Sequence, residues 1–125
     1  MRLAVVAFFL FGLAAVAAQA QTRLVVPYTP GAANDTLARL LAQRLSAASG
    51  QTFLVENRPG AGGHLGAELV ARAEPDGRTL LVSTNGLIAI GPHLYRRLPY
   101  DPQKDLAPVA RFANVPYALG ASPAL

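Results

Sequence analysis

The sequence predicts an α/β fold built on a parallel sheet, and three features carry that prediction. Short apolar runs alternate with segments of helical period. Each run exits through a turn rich in glycine, proline or asparagine. The alternation occurs three times between Arg23 and Leu94, which is the pattern of successive βαβ units.

The first strand is expected over Arg23–Thr29 ("RLVVPYT"), with Pro27 near its end because proline cannot donate to a ladder. The turn Pro30-Gly31 follows. Leu37, Leu40, Leu41 and Leu45 then recur at helical spacing, opposite Arg39, Gln43 and Arg44. Asn34 or Asp35 is the expected N-cap of this helix, and Gly50 its stop. The second strand is expected over Thr52–Asn57 ("TFLVEN"), and "RPGAGG" (Arg58 to Gly63) is its exit turn. Leu65, Leu69 and Val70, interleaved with alanines, predict a second helix that stops near Glu74, before Pro75-Asp76-Gly77. Thr79–Ser83 ("TLLVS") is the third strand and Thr84-Asn85-Gly86 its exit. Leu87–Leu94 reads as a short third helix interrupted or restarted at Gly91-Pro92. From Leu98 the chain turns Pro-rich and polar ("LPYDPQKDLAPV"), with a fourth strand expected at Val109–Phe112.

Right-handed crossovers bring the exits of parallel strands to one edge of the sheet, with the first strand in the middle of a 2-1-3 order. The turns at Pro30–Asp35, Arg58–His64 and Ser83–Leu87 are therefore expected to line one site. Backbone N–H groups at such turns attract anions.

The first twenty residues are set apart from this pattern. Met1-Arg2, an apolar run to Ala18 and the A-x-A stretch Ala18-Gln19-Ala20 predict a secretory signal peptide over residues 1–20, cleaved after Ala20. A mature chain over 21–125 would hold 105 residues, ten basic against seven acidic, a net charge of +3. It contains no cysteine, which fits the bacterial periplasm better than a disulfide-stapled secreted scaffold and rules out thiolate metal sites and thiol chemistry. The basic residues are scattered, with Arg96-Arg97 the only adjacent pair, so no nucleic-acid partner is expected.

Motifs for catalysis are missing. Gly60 and Gly62 begin a G-x-G-x-x-G fingerprint, but its third position holds Leu65, with Gly66 one place late. Neither a P-loop nor a G-x-S-x-G elbow is present. His64 and His93 lack the spacing of metal-ligand pairs; His64 reads as a rim residue and His93 as a structural one. Glu56 reads as a residue that orients a neighbouring turn. Four glycines within residues 60–66 point to close approach of backbone to a ligand.

The stretches "RLVVPYTPGAANDTLARLLAQRLS", "VENRPGAGGHLGAELVARAEPDGRTLLVSTNG" and "PHLYRRLPYDPQKDLAPVARFA" closely resemble the tripartite tricarboxylate transporter substrate-binding proteins, the Bug or TctC family. The resemblance runs in order from about Arg23 to Pro123. It implies a periplasmic receptor of two α/β lobes that encloses a small carboxylate between them. The receptor delivers its ligand to membrane components of the transporter, is not an enzyme, carries no cofactor and is not held in the membrane after processing. The family's first ligand loop corresponds to Tyr28, Pro30, Gly31, Ala32, Asn34 and Asp35. Its next one corresponds to Ser83, Thr84, Asn85 and Gly86, on towards Ala89.

Two departures from the family pattern stand out. Ala32 replaces the second of two consecutive glycines, which would impose strain if the position needs positive φ. The chain also stops at "SPAL", so residues 21–125 are expected to form the first lobe alone, incomplete at the C-terminus, with weak binding. Two readings from other classes remain. One is a small exported α/β enzyme with anion-binding glycine loops; the other is a non-binding interaction module.

Overall fold

β1 (Thr22–Val26) lies in the middle of a three-stranded sheet, between β2 (Phe53–Asn57) and β3 (Thr79–Leu81), in the computed structural model of the chain. The structure describes residues 21–116 and 118–123. The expected signal peptide over residues 1–20 lies outside them. Both pairings are parallel. Thr22 is opposite Phe53 and Val26 opposite Asn57, while Arg23 is opposite Thr79 and Val25 opposite Leu81. The expected 2-1-3 order is therefore the order found.

β1 is almost wholly buried, as a strand covered on both faces must be. Leu24, Val25 and Val26 are at most 2% exposed, and each contributes about 1.5–3 kcal/mol by leaving water. The strand ends sooner than the expected Thr29. Pro27 has no N–H for the ladder, so the chain leaves the sheet there. β3 likewise stops at Leu81 rather than Ser83, although the Val82 N–H still donates to the Val25 carbonyl at 2.9 Å.

α1 (Ala33–Ser49) covers one face of the sheet. Its buried apolar residues are Ala38 and Ala42, packed with Leu24, Val26 and Val82; Leu41 flanks them. The expected leucine stripe is thus rotated, and Leu40 points to solvent. Alanines at the contact let the helix approach the strands closely, leaving the larger side chains to seal its sides. Gly50 ends the helix at φ 69°, as expected. The start differs: Ala32 is the N-cap residue and supplies no side-chain cap, and Asp35 sits in the third helical position.

α2 (His64–Ala71) follows a 3-10 turn at Ala61–Gly63 and packs on β1 and β3. It ends three residues before the expected Glu74. The glycines of its turn pack against protein. So does Gly66, within α2, where a methyl group would lie 2.9 Å from both the Arg58 carbonyl oxygen and the Pro27 Cβ. The glycine density read as approach to a ligand is, at Gly66, approach of α2 to the end of β1. The expected third helix is a π-helical turn at Gly86–Ile90 followed by α3 (Gly91–Leu94), so the chain restarts at Gly91-Pro92. The expected fourth strand at Val109–Phe112 does not form. Val109 is 81% exposed and the segment makes no ladder bonds, and without a neighbouring strand an extended segment is not a strand.

Replacement of Gly66 by Ala should destabilise the fold by about 1–3 kcal/mol, the usual cost of overpacking. Gly120→Ala, with open space around it, should leave stability unchanged. Urea denaturation of the two variants beside the wild type tests this, and equal midpoints for Gly66→Ala and wild type would contradict the packing role.

Candidate functional site

Because β1 and β3 are adjacent and parallel, their exit loops emerge side by side at one sheet edge. One hydrogen bond joins the two loops: the Tyr28 and Thr84 hydroxyls lie 2.8 Å apart. Thr84 also anchors the second loop, its carbonyl accepting the N–H groups of Leu87 at 3.1 Å and Ile88 at 3.3 Å. The Ser83 hydroxyl donates to the same carbonyl. Asn85 stands at the N-cap position of the π-helical turn without a side-chain cap; Gly86 opens the turn, and Ala89 is exposed on it. Of the sequence-predicted residues, Tyr28 and Thr84 are in contact across the two loops, and Gly31 and Asp35 within the first. Pro30, Gly31, Ala32 and Asn34 line the entry to α1.

Positive φ falls on Gly31, at 85°, and not on Ala32, whose φ of −67° and ψ of 161° are ordinary extended backbone. The alanine therefore imposes no strain, contrary to what the family comparison of the two positions threatened. The N–H groups of Ala33, Asn34 and Asp35 find no acceptor among the described residues, as expected for the first turn of a helix.

Asp35 does not cap the helix from the expected position. Its side chain is 4% exposed and accepts three hydrogen bonds. Oδ2 takes the Gly31 N–H at 2.9 Å and the Arg39 Nε at 3.0 Å, and Oδ1 takes the Asn57 Nδ2 at 2.9 Å. Asn57 also donates to the Tyr28 carbonyl at 3.1 Å and accepts from the Arg39 guanidinium at 3.2 Å. The Arg39 bond, then the Gly31 N–H, then Asn57 hold the Asp35 carboxyl down to about 2. Neither Asn57 nor Arg39 is among the site residues expected from the sequence. The available signals were Arg39 four residues after Asp35 and Asn57 at the end of a strand.

The "RPGAGG" turn is not brought into contact with the other two loops by any hydrogen bond. His64 is buried, not at the rim: its Nδ1 is 2.9 Å from the Tyr100 hydroxyl, and Tyr95 lies edge-on at 4.5 Å between ring centres. His93 is exposed. Glu56 pairs with Arg58 and, at 3.4 Å, with Arg23, so it braces the start of that turn. A groove of about 310 Å³ beside α2 is lined by Arg58, Leu65, Glu68, Leu69 and Arg72, none of them from the two loops. Among the described residues no three His, Cys, Asp or Glu side chains cluster as metal ligands.

Asp35 predicts an acid response. Its folded-state value lies below the ordinary 3.8, so its stabilisation is present above about pH 4 and is lost as pH falls towards 2. Carboxyl NMR titration should place the Asp35 midpoint near 2. Asp35→Asn should flatten the dependence of stability on pH between 4 and 2, and an unaltered slope would show that other carboxylates carry it.

Residues 37–125 match the family described as the tripartite tricarboxylate transporter family receptor (TctC). A UPF0065 protein of Bordetella bronchiseptica is 46% identical over 88% of this chain and 35% of its own length. An adipate-bound R. palustris protein superposes with a TM-score of 0.64 at 44% identity, over 66% of this chain and 28% of that one. MatC of Rhodopseudomonas palustris with bound malate gives 0.63 at 42%, over 68% and 29%. The chain spans about a third of the length of the curated relatives it matches. With nearly half its residues shared with such a relative and most of its length inside the family match, the chain belongs to the tripartite tricarboxylate transporter receptor (TctC) family.

Proposed function

We propose that the chain forms the first lobe of a periplasmic receptor and holds a small carboxylate at the edge where β1 and β3 end. The observation that carries this reading is the Tyr28–Thr84 hydrogen bond, which joins the two exit loops beside the unpartnered N–H groups of α1. A carboxylate there would meet N–H donors at the positive end of a helix dipole. Tyr28, Pro30, Gly31, Ala32 and Asn34 would shape one side, and Ser83, Thr84, Asn85, Gly86 and Ala89 the other. Asp35, with both oxygens occupied, would shape the first loop from behind.

The adipate and malate bound by the two superposed structures support the ligand class. Residues 1–20 would direct export and be removed after Ala20, and the ligand would pass to membrane components of a tripartite transporter. No helix among the described residues is long and apolar enough to cross a membrane. Catalysis has no part in this reading. The residue that an exported enzyme would most need as a base, His64, is enclosed by Tyr95 and Tyr100.

The first lobe by itself would leave the ligand open to water on one side. Each exposed hydrogen bond then contributes about 0.5–1.5 kcal/mol net, and a few of them correspond to a Kd of about 1 mM. Calorimetry of the chain with malate and adipate should accordingly give millimolar binding, and fusion to the remainder of a TctC relative should tighten it by at least about 10-fold, a gain of about 1.4 kcal/mol. Micromolar binding by the chain alone would refute the single-wall reading. Tyr28→Phe should weaken binding in the fused form by releasing Thr84.

A further inference from the structure

A buried carboxylate is a poor neighbour for an anion. The Asp35 oxygen is one hydrogen bond away from the Gly31 backbone, on the loop where a carboxylate ligand would sit. Left uncompensated, its charge would repel that ligand and offset the attraction of the α1 N-terminus. The structure surrounds it with two residues from outside both loops. Arg39, one turn along α1, lies against Oδ2, and Asn57, at the end of β2, lies against Oδ1. Arg39 also bonds to Asn57, so the three side chains close a ring.

We infer that Arg39 and Asn57 are positioning residues for the carboxylate site: Asn57 fixes the Tyr28–Asp35 loop, and Arg39 cancels the Asp35 charge that would otherwise oppose the ligand. This rests on the proposed site and adds what makes it tolerant of a negative ligand. The two roles are separable. Asn57 spends one N–H on the Tyr28 carbonyl and the other on Asp35, so it sets the height of the loop over β2. Arg39 is more than half exposed, so it supplies charge without filling the core. Asp35 itself stays because its oxygen accepts the Gly31 N–H and so holds that residue in its left-handed conformation.

The test is an NMR titration of the whole chain with malate, following the amide shifts of residues 31–35 and 84–86. Wild type should move at both loops. Arg39→Gln should lower the initial slope of shift against malate by about fivefold, since one compensating charge is gone. The double variant Arg39→Gln/Asp35→Asn should recover most of that slope, because the opposing charge has gone too. A purely structural role for Arg39 forecasts the opposite, with the double variant no better than the single one. Asn57→Ala should raise hydrogen exchange of the Gly31 amide at least tenfold without malate present, and unchanged exchange would overturn its part. If wild type moves and Arg39→Gln moves equally, the charge role fails while the site stands. If wild type does not move at either loop, the site reading fails and this inference falls with it.

Discussion

The loop geometry depends on one buried carboxylate. An ionised Asp35 out of water must be met by donors, and each of its three donors comes from a different element: the loop after β1, the second turn of α1 and the end of β2. Satisfying that one group fixes where the chain leaves the sheet relative to where the helix begins. It also determines that Ala32, which has no capping side chain, can serve as N-cap residue. The bond that an N-cap side chain would make to the first turn is not made, and the N–H groups of residues 33–35 meet no acceptor among the described residues.

Gly31, in the turn after β1, and Gly66, inside α2, are required for different physical reasons. At Gly31 the positive φ turns the backbone so that its N–H points back to Asp35, and a methyl there would meet nothing within 4 Å. At Gly66 the constraint is space, because the Arg58 carbonyl and Pro27 leave no room for a methyl. The first glycine serves the shape of an exposed loop and the second serves the seating of a helix on the sheet. Pro27 connects them: it ends β1, is fully buried, and is the surface against which Gly66 packs.

What was legible in the sequence was local. The three strands, their parallel order and the Gly50 stop follow from short apolar runs, crossover geometry and one left-handed residue. The family was legible because "ENRPGAGG" and "LPYDPQKDLAPV" are long and specific. The facing of α1 was not, because period alone does not distinguish a leucine stripe from the Ala38–Ala42 stripe beside it. Which contact wins depends on how near the sheet the helix can come. The burial of His64 depends on Tyr100, thirty-six positions away, and the Asp35 ring joins residues up to twenty-two apart. The Arg39–Asp35 spacing of four is the only local trace of either contact. The fourth strand failed for a related reason: Val109–Phe112 has strand-like residues, but strand formation is a property of a pair.

A crystal structure of the chain grown in a high concentration of malate would show whether the exits of β1 and β3 form one carboxylate site. The expected result is malate density between the loop at Gly31 and the loop at Thr84-Asn85, with its oxygens at hydrogen-bonding distance from N–H groups of residues 33–35. Malate ordered instead on Arg96-Arg97 or in the groove between Arg58 and Arg72, with both loops empty, would contradict it.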